Sequence, residues 1–339
     1  MADGKRIAVT LIPGDGIGPE ITAATKKVLS ALGAPIVWEE RYAGEQAFRS
    51  YGQPLPKETL DSIAATRYAL KGPLSTPSGG GYRSATVQMR EKFKLFANVR
   101  PARTLFPGRF ENVDIILVRE NLQGLYAAKE MWIPEGDDEH ATAVATAFNN
   151  KGNLKRLLRF TANMAVEKGR KRITVVHKAN ILKMLTGIFL EALEEVRGEF
   201  STLVFDDMIV DACAMKLVTR PETFDVIITT NLFGDVLSDL IAGLVGGLGV
   251  TAGANVGDDV FLFEAVHGSA PDIAGKGIAN PSAMMMAAAM LLDQIGSPEL
   301  AERLRAAISE TITAGEGTGD VGGQNNTEGF TNALIKRLA

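Results

Sequence analysis

Residues 224–239 constrain this chain more than any other stretch. Phe224-Asp-Val-Ile-Ile-Thr-Thr230 is an apolar run with the character of a buried strand. It passes directly into Asn231-Leu-Phe-Gly-Asp235-Val-Leu-Ser-Asp239, where Gly234 permits a tight strand-to-helix turn. Asp235 and Asp239 are then four residues apart and share one helix face. Two readings of the pair stand open. The carboxylates offer oxygen ligands to a hard divalent cation, Mg2+ or Mn2+, or they are a helix-dipole acid beside a solvated one.

The same strand-then-helix alternation opens the chain. Ile7–Ile12 reads as a strand, Gly14–Glu20 as a turn, Pro19 to about Ala31 as a helix, Ile36–Glu40 as a strand, Lys57–Ala65 as a helix and Tyr68–Lys71 as a strand. Further on, the strands Val113–Arg119 and Ile173–His177 flank a helix over Leu154–Lys168. This rhythm predicts an α/β sheet with a parallel part. Residues from about Gly124 to Asn150 look less regular and read as a dimer arm or a surface loop. The methionine-rich Pro281–Gln294 reads as a core or subunit-packing helix.

At 339 residues the chain has room for two domains or one large α/β unit. A net charge of −4 without a basic block argues against nucleic-acid or anionic-membrane partners. Cys213 is the only cysteine, so an internal disulfide is excluded and a reducing compartment is expected. With no signal-peptide pattern at the N-terminus, a cytoplasmic location is expected.

Several residues are candidates for chemistry. Gly14-Asp-Gly-Ile-Gly18 departs from the G-x-G-x-x-G spacing of a dinucleotide fingerprint, so it reads as a turn. Lys71 to Arg90 holds three glycines and several hydroxyls ahead of a helix starting near Ser84, a favourable place for an anion. Arg90, Arg100 and Arg119 add guanidinium groups suited to carboxylates. Any one of them alone reads as well as a surface ion pair. Lys178, at a strand end, is a candidate proton shuttle or a solvated lysine. Asp211, Tyr126 and His267 are a possible third metal ligand, a possible acid and part of a possible cofactor loop, and each also suits an ordinary structural role.

Six segments together resemble the isocitrate and isopropylmalate dehydrogenase family of β-decarboxylating dehydrogenases. They are Ile12–Glu20, Asn98-Val-Arg-Pro101, Val118-Arg-Glu-Asn121, His177-Lys-Ala-Asn180, Asn231–Asp239 and His267-Gly-Ser-Ala-Pro-Asp-Ile-Ala-Gly-Lys-Gly-Ile-Ala-Asn-Pro281. The resemblance runs nearly end to end. It implies an isopropylmalate dehydrogenase-like two-domain fold with a mixed parallel/antiparallel sheet, not a Rossmann fold. Residues 1–97 and 250–339 would form a large, discontinuous, cofactor-binding domain. Residues 98–249 would form a small domain with the dimer interface and an arm at about 124–150.

The resemblance also assigns roles. Asp235 and Asp239 of one subunit, with Asp211 of the other, would hold Mg2+ or Mn2+. Arg90, Arg100 and Arg119 would bind the substrate carboxylates. Lys178 of the partner subunit, helped by Asp211, would take the hydroxyl proton as hydride leaves for the nicotinamide. Tyr126 would reprotonate carbon after CO2 is lost. The active sites would be shared between subunits of a homodimer.

Ser84 favours isocitrate by this resemblance, because isopropylmalate enzymes carry an apolar residue in this helix. Thr86 stands where the isocitrate pattern has asparagine, which keeps homoisocitrate or 3-isopropylmalate in view. Leu74, Thr76, Glu264, His267, Gly268, Ser269, Ala270, Pro271, Asp272, Ile273, Asn280 and Asp320 would line the cofactor site. Asp272 and Ile273 stand where NADP-using relatives carry lysine and tyrosine, and a carboxylate there repels a 2′-phosphate, so NAD is expected. A non-catalytic regulatory subunit is the alternative from another class. Such copies lose members of the set Tyr126, Lys178, Asp211, Asp235 and Asp239, and this chain keeps all five.

Overall fold

A computed structural model describes residues 6–77, 81–108 and 110–338. Ser78, Gly79 and Gly80 of the glycine-rich segment lie outside the described residues, as do the first five residues. The chain forms two compact units. One comprises Met1–Leu95, Pro101–Glu111 and Ala242–Ala339, and the other comprises Phe96–Arg100 and Asn112–Ile241.

In the first unit β1 (Ile7–Ile12), β2 (Ile36–Glu40), β3 (Tyr68–Lys71), β11 (Ala252–Val256) and β12 (Phe261–Ala265) lie in the order β2-β1-β3-β12-β11. The first three junctions are parallel and the β12/β11 junction is antiparallel. The parallel steps need helical crossovers. These are supplied by α1 (Gly18–Leu32), with proline in its first turn, then α2 (Glu45–Tyr51) and α3 (Lys57–Thr66). Helix α4 (Ala85–Lys92) follows β3. Helix α9 (Ser282–Gln294) is the core element its composition predicts, with Met284, Met285, Leu291 and Leu292 fully buried. Helices α10 (Pro298–Thr313) and α11 (Thr327–Leu338) complete the unit.

In the second unit β4 (Ala97–Arg103, whose residues up to Arg100 belong here), β5 (Asp114–Glu120), β8 (Arg172–His177), β9 (Val204–Ile209) and β10 (Val226–Thr229) lie in the order β4-β5-β10-β8-β9. The β5/β10, β10/β8 and β8/β9 pairs are parallel. Helices α5 (Lys151–Glu167), α6 (Gly187–Val196), α7 (Val210–Thr219) and α8 (from Asn231) connect them.

Two expectations change. The segment 124–150 is regular: β6 (Gly124–Glu135) and β7 (Asp138–Phe148) form an antiparallel hairpin turning at Gly136-Asp137. Its strands are exposed on both faces, with Met131, Trp132 and Ile133 about half exposed, so they lack the in/out alternation that marks a half-buried strand. Gly234 is not in a turn. Helix α8 begins at Asn231, and a Cβ at Gly234 would stand 2.7 Å from Cβ of Arg119, so the glycine makes room for that side chain. Among the described residues no helix is long and apolar enough to cross a membrane.

Candidate active site

The second unit gathers five predicted residues around α8. The apolar strand β5 carries Arg119 at its carboxyl end, and its side chain is only 1% exposed. A guanidinium so buried needs acceptors on most of its N–H groups. Nε and Nη2 donate to Asn231 Oδ1 at 3.0 and 2.8 Å, and Nη1 pairs with Asp235. The ring of Tyr126 lies 4.7 Å from the guanidinium carbon, and its hydroxyl donates to Asp235. Arg100, on β4, donates to Asn98 Oδ1 at 2.7 Å and to Ser238 Oγ at 2.5 Å. It also stands 3.5 Å from Asp235 and 3.7 Å from Asp239.

The titrations follow from this crowding. Burial pushes the Tyr126 hydroxyl up, reinforced by Asp235 and opposed by Arg119. Burial also raises the Asp239 carboxyl, with Arg100 opposing it and Asp235 adding to it. Asn231, Asn98 and Ser238 were not legible as orienting partners, since nothing in their local pattern points to a particular arginine.

Lys178 and Asp211 form a separate pair at 2.5 Å. The chain around Lys178 is held on both sides. Its own N–H donates to Thr186 Oγ1 at 3.2 Å, and Ala179 N–H donates to His177 Nδ1 at 3.0 Å. The hydrogen bond from Lys178 holds the Asp211 carboxyl below its ordinary value. Among the described residues of one chain, no three His, Cys, Asp or Glu side chains are placed to hold a metal. Asp235 and Asp239 still suit a hard cation: both are oxygen donors on one helix face, with side chains 36% and 57% exposed.

In the first unit Ser84 caps α4, its hydroxyl accepting from Val87 N–H at 3.4 Å, and Thr86 is half-buried in the first turn. Arg90 is drawn into a buried ionic cluster. It donates to Asn255 Oδ1 at 3.0 Å and stands 3.3 Å from Glu264, which also pairs with Lys71 at 2.9 Å. Burial alone would raise the Glu264 carboxyl, but Lys71 and Arg90 outweigh it and hold the group well below the usual carboxylate range. Lys71 had no predicted role.

The same unit contains a cavity of about 700 Å3. His267, Gly268, Ala270, Ile273, Asn280 and Asp320, all candidates for the cofactor site, line it. Ser269, Pro271 and Asp272 belong to the same loop but are not among the lining residues, and Leu74, Thr76 and Glu264 lie outside the lining. The wall also includes Ile17, Ala279 and Gly323, which periodicity does not single out. Asn280 donates to Asp320 at 2.9 Å, bracing one side. His267 Nδ1–H donates to the Gly268 carbonyl at 2.9 Å, which leaves Nε2 as an acceptor. That Nε2 is buried and has no partner among the described residues. Burial lowers the His267 pKa, so the ring stays neutral near pH 7. A cavity of this size with a buried, unpaired acceptor fits a nucleotide-sized ligand that carries a donor.

The sheet order, with its parallel and antiparallel junctions, defines a mixed-sheet α/β fold. The chain belongs to the isocitrate/isopropylmalate dehydrogenase family, whose pattern matches residues 8–334. It is 44% identical over 333 residues to an isocitrate/homoisocitrate dehydrogenase of Thermus thermophilus, covering 97% of this chain and 98% of that one. It is 42% identical to the mitochondrial isocitrate dehydrogenase [NAD] catalytic subunit 5 of Arabidopsis thaliana, covering 98% and 88%. The crystal structure of isocitrate dehydrogenase from Methylococcus capsulatus superposes with a TM-score of 0.95 at 50% identity, covering 98% and 99%.

Proposed function

We propose that this protein oxidatively decarboxylates isocitrate to 2-oxoglutarate and CO2 with NAD+ and a divalent cation. The observation that carries the reading is the cluster of Arg100, Arg119 and Tyr126 around Asp235 and Asp239. Arg90, Arg100 and Arg119 supply charge for the substrate carboxylates, and Ser84 offers a hydroxyl. Lys178, braced by Asp211, takes the proton from the substrate hydroxyl. Tyr126, with its proton held tightly by the raised pKa, returns one to carbon. Asp235 and Asp239, with Asp211 of a second copy, would hold Mg2+ or Mn2+, which when bound supplies Lewis-acid stabilisation of developing negative charge. NAD+ supplies the hydride acceptor, and His267, Asn280 and Asp320 belong to its site.

The shared set implies a homodimer, and the exposed Met131, Trp132 and Ile133 on the β6/β7 hairpin suit its interface. Homoisocitrate is the second reading. Thr86 lacks the paired donor and acceptor of an amide, and the Thermus thermophilus relative carries homoisocitrate in its name.

The test is the rate of NAD+ reduction with Mn2+ on isocitrate, homoisocitrate, 3-isopropylmalate and malate, each repeated with NADP+. Isocitrate with NAD+ is expected to dominate. Dominance of homoisocitrate moves the assignment to the second reading, and silence with every acid restores the regulatory-subunit alternative. Arg100→Lys keeps the charge but loses the planar fork that meets Asn98 and Ser238 together. The KM for the acid is expected to rise by about tenfold, equivalent to one charge-assisted hydrogen bond. An unchanged KM would remove Arg100 from the substrate site.

A further inference from the structure

The loop Gly14–Gly18 does not match a dinucleotide fingerprint, yet it is tied to three other segments of its unit. Asp15 is 5% exposed, and its carboxylate accepts three backbone N–H groups. Oδ2 accepts from Glu45 at 2.9 Å and Ser75 at 2.8 Å, and Oδ1 accepts from Gln46 at 3.1 Å. The backbone of the loop reaches two further segments. Asp15 N–H donates to the Pro73 carbonyl at 2.7 Å, and Ile17 N–H donates to the Ser269 carbonyl at 2.9 Å. Those two segments also meet directly, with Ser75 Oγ 3.0 Å from Ser269 Oγ.

The glycines serve these approaches. A Cβ at Gly14 would stand 2.4 Å from the Pro73 carbonyl oxygen, and one at Gly16 would stand 1.9 Å from that of Ser269. Both positions also have positive φ, +88° and +58°. Ile17, next in line, is itself a wall of the cavity.

We infer that Asp15 is a positioning residue for the dinucleotide: its carboxylate ties the 73–76 segment to Glu45 and Gln46, and so fixes the turn whose Ile17 N–H holds the 267–273 loop. This rests on the reading of the cavity as the coenzyme site. Neither segment is long or regular enough to hold its own shape. These ties supply that shape before the ligand arrives, so the ordering cost does not fall on binding. An acid is required because one carboxylate must face three donors and offer none. An asparagine in its place turns an NH2 group against at least one of those N–H groups in either orientation.

The test uses Asp15→Asn and Ser75→Ala. The second removes only the hydroxyl link to Ser269 and leaves the three carboxylate bonds intact. NADH is titrated by fluorescence, and amide exchange is followed without ligand. Asp15→Asn is expected to raise the NADH Kd by about tenfold and Ser75→Ala by about threefold. In both, kcat stays within about twofold and the KM for the acid is unchanged. Amide exchange is expected to quicken at Ser75 and across 268–273 while the rest of the unit keeps its protection. Unchanged NADH affinity in both folded variants overturns the inference, as does exchange that rises evenly through the unit, the mark of a merely structural role. A wild-type protein that binds no NADH overturns the cavity reading itself, and this inference with it.

Discussion

Under the proposed function, Lys178→Met is expected to lower the turnover of isocitrate by about a thousandfold, within the range usual for loss of a positioned acid–base group. Methionine keeps the length and apolar stem of lysine but has nowhere to take a proton. Lys178 pairs with Asp211 at 2.5 Å on a partly exposed surface, so the fold itself depends little on it. The thermal midpoint is expected to move by no more than a surface ion pair explains, about 1 kcal/mol or less. Asp235→Asn is expected to be as inactive, because it removes the carboxylate that Arg119 and Tyr126 both engage.

The two inactive proteins, unfolded together and refolded, provide a sharper result. If each site takes Lys178 and Asp211 from one chain and Asp235 from the other, half the dimers are mixed and each has one intact site. About a quarter of the wild-type activity should return. No recovery, in a mixture shown by mass to contain mixed dimers, refutes sharing of the site.

Glu264→Gln produces the largest expected loss of stability. Glu264, Lys71 and Arg90 are all more than nine-tenths buried, and the single carboxylate answers both cations. Its removal strands two buried positive charges at a cost of about 3–5 kcal/mol. That is a large part of the 5–15 kcal/mol typical of a folded domain, and a fall in melting temperature of about 10 °C is expected.

The pH dependence has a definite sign. The folded pKa of Glu264 lies below its ordinary 4.5, so the ionised group adds stability above pH 4.5. That stability is lost as pH falls below 4.5 towards the depressed folded value. Chemical denaturation at a series of pH values should show the wild-type advantage over Glu264→Gln shrinking below pH 4.5. An advantage that grows on acidification would show that the carboxylate is not held ionised by its neighbours.

Most strands and helices of the α/β alternation were legible because their periodicity is carried by consecutive residues. Val226–Thr229, Tyr68–Lys71 and α9 are examples. The β6/β7 hairpin was not, because strands wetted on both faces leave no alternation to read, although Glu-Gly-Asp-Asp at its tip is a turn signal. The short helix α2 was missed for a related reason. Its seven residues bury only Ala47, too little to establish a period. Gly234 was misplaced because a glycine that relieves crowding from a side chain 115 positions earlier looks, in sequence, like any turn glycine.

Among the candidate site residues, Arg100, Arg119, Lys178, Asp235, Asp239 and the His267 loop were named from contiguous motifs. Their partners Asn231, Ser238, Asn255 and Lys71 were not assigned to them, since each is chosen by position in space.

By itself the sequence determined the family, the parallel α/β character and the list of acids, arginines and the lysine available for chemistry, because those properties reside in residues that are neighbours along the chain. Only the tertiary structure decided which of them touch. Arg119 meets Asp235, Lys71 meets Glu264 and Asp15 meets Ser75 across gaps that no local period spans. Strand order and helix crossovers close those gaps, and they are settled by burying the whole apolar surface at once rather than by any one segment.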